Sequence, residues 1–215
     1  INFFKTILKL IIFDLDQPTA LYPTLVDDGF VLWESRAVLQ YLANKTNSNL
    51  YPTDPKKRAV VDRLLYFDLG TLFKAIGEYV YELMKVYNLF ELIYYFLGAS
   101  LDPQLFAKQP ADEEKLKKIK ETLVFLDGFL EGIPYVAGES LTIADLSILA
   151  TLSFIEVVLD FDFSEHKNVA QWLTKLKGEL SYYKEVNEEP LKQFKEFIGN
   201  NCLIKSIQLI IMKKI

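Results

Sequence analysis

The chain changes its hydrophobic period once, and that change fixes what it can fold into. Ahead of residue 44 a short alternating stretch runs through a turn signal. From residue 55 onward apolar residues recur every three to four positions. Residues 44–54 (NKTNSNLYPTD) between them are polar, carry Pro52 and lead into Pro55, and read as an inter-domain connection. A chain of 215 residues has room for one large or two small domains. The expected layout is a partial α/β domain over 1–43, a linker over 44–54 and an all-helical domain over 55–200.

Within the first piece, Pro23-Thr24-Leu25-Val26-Asp27-Asp28-Gly29-Phe30-Val31-Leu32-Trp33 reads as strand, tight turn, strand. Asp28-Gly29 supplies the positive φ that a two-residue hairpin turn requires. A helix follows at once over Glu34–Leu42, with Ala37, Val38, Tyr41 and Leu42 on one apolar face.

The second piece opens with Asp54-Pro55, an N-cap followed by proline at the first helical position. Val61, Leu65, Leu69, Leu72, Phe73, Ile76 and Val80 form one stripe. Leu116, Ile119, Leu123, Leu126 and Leu130 form another, ended by Gly132 and Pro134. Thr142-Ile143-Ala144-Asp145 has the form of a capping box with aspartate in the glutamate place, and Leu141 and Leu146 could staple it. Further helices are expected near 167–180 and 187–198. Val60, Leu64 and Phe67 lie on the far side of the first long helix and suit either a subunit contact or the chain's own core.

Composition closes off several functions. The 24 basic and 29 acidic residues give a net charge of −5, which argues against a general nucleic-acid binder. One histidine, His166, cannot build a multi-histidine metal site, and one cysteine, Cys202, cannot form an internal disulfide, so a reducing, cytoplasmic setting is expected. No apolar run reaches the length of a membrane helix, and Ile1–Phe13, with Lys5 and Lys9 inside it, reads as neither signal peptide nor anchor.

Three segments differ from the rest in composition. Residues 1–15, 82–102 and 202–215 draw heavily on Ile, Leu, Phe, Lys, Asn and Tyr, which A/T-rich codons encode. They are expected to be translated intron or untranslated sequence, which would make 82–102 an atypical insertion and 201–215 an atypical tail. The alternative is a real strand, a real helix extension and a real apolar tail. Because the chain starts at Ile1, its N-terminus is expected to be truncated.

The chemistry concentrates around the hairpin. A proline entering a strand cannot donate to the ladder and often marks a cis turn. At Tyr22-Pro23 such a turn would present the Tyr22 backbone N–H and C=O as an open edge for an extended peptide-like ligand. Glu34-Ser35 opens a helix, where free N–H groups and the dipole favour an anion. Ser35 can donate to a carboxylate and Glu34 can hold an ammonium. Together they make a receptor for an α-amino-acid end beside a peptide backbone.

That constellation resembles the glutathione-binding half of cytosolic glutathione S-transferases. The stretch PTLVDDGFVLWESRAVLQYL is similar to insect delta- and epsilon-class enzymes, with delta the better match. The likeness continues through YPTDPKKRAVVDRLLYFDLGTLF, PQLFAKQPADEEKLKKI and YVAGESLTIADLSILAT, covering about residues 16–81 and 103–200. It implies a thioredoxin-like N-terminal domain, an all-helical C-terminal domain, a homodimer and no metal. The implied activity is detoxifying conjugation of glutathione, as co-substrate, to small hydrophobic electrophiles, with neither nucleic acid nor membrane as partner. The glutathione site it implies comprises Tyr22, Pro23, Glu34, Ser35 and Arg36. Arg36 would meet a ligand carboxylate, a dimer contact or solvent. Phe73, Ile76 and Tyr81 would face the electrophile pocket, or serve simply as core of an amphipathic helix. Thr142 and Asp145 are given a structural capping role.

Two departures from the family pattern bear on activity. Delta-class enzymes hydrogen-bond the glutathione sulfur with a serine on the loop after the first strand, and residues 1–15 offer only the hydroxyl of Thr6. No catalytic residue is therefore assigned. The family's histidine three residues before the cis-proline is Ala20 here. These departures predict impaired catalysis, and a non-catalytic ligand-binding or interaction module is the alternative.

Overall fold

The computed structural model describes residues 24–86 and 113–200, with the side chains of 24–80 and 113–196. By their contacts the described residues fall into two compact units. One is formed by residues up to Leu65 together with Ile133–Ile148, the other by Tyr66–Gly132 together with residues from Leu149 onward.

In the first unit, β1 (Thr24–Asp27) and β2 (Phe30–Trp33) form an antiparallel hairpin with Leu25 opposite Leu32 and Asp27 opposite Phe30. Its two turn residues have φ of 49° at Asp28 and 83° at Gly29. Both are positive, as a turn matching the right-handed strand twist needs; aspartate tolerates that region and glycine enters it freely. Helix α1 (Ser35–Lys45) folds back and packs Val38 and Leu42 on Leu25, with Leu32 and Tyr41 partly buried at the edge. Three such side chains contribute about 1.5–3 kcal/mol each, so polar tethers matter here. The Tyr41 hydroxyl donates to Asp27 Oδ2 at 2.6 Å, and Lys45 pairs with the same carboxylate. Those two donors, Lys45 first, hold the Asp27 carboxyl below its ordinary range.

Helix α2 (Pro55–Phe67) begins where the sequence predicts, with Asp54 Oδ1 accepting the Lys57 N–H at 2.9 Å. The segment before it is held by backbone, since the Ile143 N–H donates to the Leu50 carbonyl at 2.9 Å. Asp145 is fully buried near the start of α5 (Ile143–Leu159), and its carboxylate gathers three donors. These are the Val136 N–H at 2.8 Å and the Thr142 N–H and hydroxyl, each at 2.9 Å. The first contact ties a preceding loop to the helix start, which a local cap alone does not do.

In the second unit, α3 (Phe73–Val86), α4 (Glu113–Phe129), α6 (Lys167–Glu179) and α7 (Glu189–Asn200) accompany the rest of α5. Its core includes Leu72, Ile76, Ile119, Leu123, Leu126, Leu152, Ile155, Val169, Trp172 and Leu176, all buried. Helix α6 is capped from outside: Asp127 of α4 accepts the Val169 N–H at 3.0 Å and the Asn168 amide at 3.1 Å.

One predicted stripe is corrected. Asp68–Leu72 is a turn of π-helix between α2 and α3. Its wider winding inserts a residue and rotates the buried face. Leu69 and Phe73 therefore turn outward, while Leu72, Ala75 and Ile76 go into the core. Asp68 is fully buried at this turn and accepts the Thr151 hydroxyl at 2.9 Å. Helix α3 also runs to Val86, so the first five residues of the 82–102 segment continue a helix. Residues 1–15, 87–102 and 201–215 lie outside the described residues.

Candidate functional site

The site is built on the junction of β2 and α1. Glu34 separates the last strand residue from the first helical one, with φ 71° and ψ 104°. A non-glycine residue on that side of the map costs of order 1–3 kcal/mol and persists only where its surroundings over-determine it. Here the surroundings are the hairpin behind it and the first helical hydrogen bond ahead, from the Val38 N–H to the Glu34 carbonyl at 2.9 Å. The Glu34 side chain makes no capping hydrogen bond and is exposed, and no acidic residue occupies the first turn. With no acidic side chain in the first turn, the positive end of the helix dipole favours an anion here.

Ser35 and Arg36 are half-buried and interact. Arg36 Nη1 donates to Ser35 Oγ at 2.9 Å. A serine oxygen that accepts from a guanidinium has its own O–H directed elsewhere and polarised for donation. Ser35 and Arg36 thus act together next to the exposed Glu34, an arrangement in which a carboxylate can take an ammonium and a hydroxyl can donate to a carboxylate. Arg36 orders the hydroxyl. Tyr22, Pro23 and Ala20 lie outside the described residues.

The proposed electrophile residues divide. Phe73 at the start of α3 is half-exposed and Ile76 is buried in the core, while the Tyr81 side chain lies outside the described residues. Of the three residues suited to a subunit contact, Leu64 is fully buried within the chain. Val60 is half-buried, and Phe67 is half-buried with its ring edge-on to Phe129 at 5.1 Å. Sequence reasoning passed over the buried Asp68–Thr151 pair. Its one signal was a charged residue at a stripe position between Leu65 and Leu72. Among the described residues no three potential metal ligands converge, and no helix is long and apolar enough to cross a membrane.

A hairpin feeding a helix whose strained start presents paired polar groups, followed by an all-helical chain, defines an α/β piece joined to an all-α piece. Comparison with known proteins gives that class its family. Residues 13–44 match the profile of the glutathione S-transferase N-terminal domain, and residues 87–179 that of the glutathione S-transferase C-terminal domain. Among solved structures, a delta-class glutathione transferase of Nilaparvata lugens is 43% identical, with 94% of this chain and 80% of that one covered and a TM-score of 0.69. The Bombyx mori glutathione transferase BmGSTD1 is 36% identical, with 84% and 76% covered and a TM-score of 0.65. An epsilon-class glutathione S-transferase from the housefly, Musca domestica, is 30% identical, with 89% and 76% covered and a TM-score of 0.61. The chain belongs to the glutathione S-transferase family, and its neighbours are insect delta- and epsilon-class enzymes. The N-terminal piece is accordingly thioredoxin-like and the C-terminal piece helical. The second matched range opens at residue 87, inside the segment of atypical composition.

Proposed function

We propose that this chain binds glutathione as co-substrate at Tyr22, Pro23, Glu34, Ser35 and Arg36 and conjugates it to small hydrophobic electrophiles, a detoxifying reaction of the cytoplasm. The observation that carries the reading is the strained Glu34 at the mouth of α1, followed by a serine hydroxyl ordered by Arg36. The γ-glutamyl ammonium meets the Glu34 carboxylate, and its carboxylate takes the Ser35 hydroxyl at the positive end of the helix dipole. The cysteinyl backbone pairs with Tyr22. Phe73 and Tyr81 are the residues offered to the electrophile, while Ile76 belongs to the core of α3. The domain division follows the two pieces, with the joint at 44–54, and the working assembly is a homodimer.

In the reaction the glutathione thiolate forms a bond to an electrophilic carbon, and the leaving group departs with its bonding pair. A free thiol of pKa about 8.5 is mostly protonated at neutral pH, so a hydroxyl donor near the sulfur sets the rate. Thr6 is the one hydroxyl in residues 1–15.

The test is conjugation of a chromogenic electrophile by the purified chain, beside Ser35→Ala. Turnover above the buffer rate is expected, and Ser35→Ala should raise the KM for glutathione about tenfold, the loss of a hydrogen bond to a charged group. A rate equal to buffer with glutathione still bound favours the non-catalytic binding module. No glutathione binding at all removes the reading.

A further inference from the structure

Helix α1 carries the proposed glutathione-facing residues at its start, and among the described residues it joins a small apolar cluster around Leu25. A second anchor sits on the middle of the helix. Gln40, five residues after Ser35, reaches out of α1 to a polar cluster shared with the connector and α2. Its Nε2 donates to Asp62 Oδ1 at 2.8 Å and to the Tyr51 hydroxyl at 3.2 Å. The Tyr51 hydroxyl donates to the same Asp62 oxygen at 2.7 Å. Tyr51 is itself buried, with the Arg58 guanidinium 4.5 Å above its ring, and Arg58 Nε donates to the Pro52 carbonyl at 2.7 Å. One carboxylate oxygen on α2 thus receives a donor from α1 and a donor from the connector. At 1.5 Å of rise per residue, Gln40 stands roughly 7.5 Å along the axis from Ser35, so a shift of the helix at Gln40 passes directly to the site.

We propose that Asp62 is a positioning residue for glutathione. Acting through Gln40 and Tyr51, it holds α1 in the register at which strained Glu34 presents itself, Ser35 and Arg36 to the tripeptide. The inference rests on the glutathione reading of that site. The strain at Glu34 gives the argument its force. A residue at φ 71° relaxes as soon as the helix behind it is free to move. An anchor on the same helix, more than a turn away, opposes that relaxation without touching the ligand.

Titration calorimetry of the full chain with reduced glutathione tests this. Asp62→Ala is expected to weaken glutathione binding about fivefold. Asp62→Asn should bring the affinity back to within about twofold, because its amide oxygen accepts the same two donors. Ser153→Ala, which breaks a buried hydrogen bond to Tyr183 in the other unit, controls for general destabilisation and should leave the affinity unchanged. An unaltered affinity in Asp62→Ala overturns the inference, as does an equal loss in Ser153→Ala or a loss that persists in Asp62→Asn. If the unsubstituted chain binds no glutathione, the reading of the site falls first and this inference with it. If the unsubstituted chain binds and Asp62→Ala binds equally, the positioning role alone is sunk. Should Asp62→Ala fail to fold, Tyr51→Phe removes one donor and keeps the ring under Arg58. It is expected to weaken binding about twofold, and no change there overturns the inference.

Discussion

Each of the two compact units has buried apolar side chains, but the first adds carboxylates that each join two separate segments. The helical unit is an apolar core: Leu72, Ile119, Leu123, Leu126, Leu152, Ile155 and Leu176 are fully buried. The unit bearing the candidate glutathione site also buries Val61, Leu64, Leu65, Ile143 and Ile148, but its hairpin and α1 meet at a small cluster around Leu25, and shared carboxylates tie its segments to one another. Asp27 takes Tyr41 and Lys45, Asp62 takes Gln40 and Tyr51, and Asp145 takes Val136 and Thr142. Apolar burial is non-directional and fixes a fold, whereas hydrogen bonds fix orientation. The proposed glutathione site thus lies where hydrogen bonds control direction as well as bulk.

The contrast predicts unequal responses to substitution. The largest belongs to the helical unit. Leu123→Ala should cost about 2–5 kcal/mol, because the surrounding core closes only part of the cavity. Urea unfolding measures this, and a loss comparable to a surface substitution would erase the distinction between the units. Glutathione affinity should survive in the fraction that stays folded.

Thr142→Ala removes the hydroxyl that donates to Asp145 and should cost about 1 kcal/mol. Thermal melting with no destabilisation would show that the capping assignment is wrong. Glu34→Gly sharpens the comparison in the opposite direction. Glycine enters positive φ without strain, so the chain should gain up to about 1 kcal/mol while glutathione binding weakens. A melting temperature that falls together with the affinity would contradict the strain assigned to Glu34.

The smallest effect is one of pH. Burial first, then the hydrogen bond to Asp62, pushes the Tyr51 phenol up to about 12. Burial does the same to Tyr182. The folded chain thus keeps these protons at a pH where the unfolded chain, with phenols near about 10, has released them. Stability from this source is fully present below about pH 10 and is lost as pH rises through about 12. Urea midpoints on either side of pH 10 read it, and Tyr51→Phe should flatten part of the slope.

Legibility followed the distance over which a signal acts. Asp28-Gly29, Asp54-Pro55 and Thr142 with Asp145 each announce themselves within a few residues, and the hairpin, α2 and the start of α5 lie where those signals place them. The contacts that set orientation join residues far apart in the chain. Gln40 meets Asp62, Asp127 meets Val169, and Asp68 meets Thr151 across 83 positions. No local pattern marks such partners. The π-turn was hidden for a related reason, since a stripe at three-to-four spacing assumes an unbroken winding and Asp68–Leu72 breaks it. Of the site, Glu34 and Ser35 were readable as a helix start. The positive φ of Glu34 was not, because glutamate has no preference for that region.

The central claim is that glutathione sits at the start of α1. The most direct measurement follows backbone amide resonances as reduced glutathione is added to the isotope-labelled chain. The account predicts that the largest shifts fall on Trp33–Val38, weakening through α1 and sparing the helical core around Leu123. Shifts centred in the helical unit, or none at saturating glutathione, would contradict it.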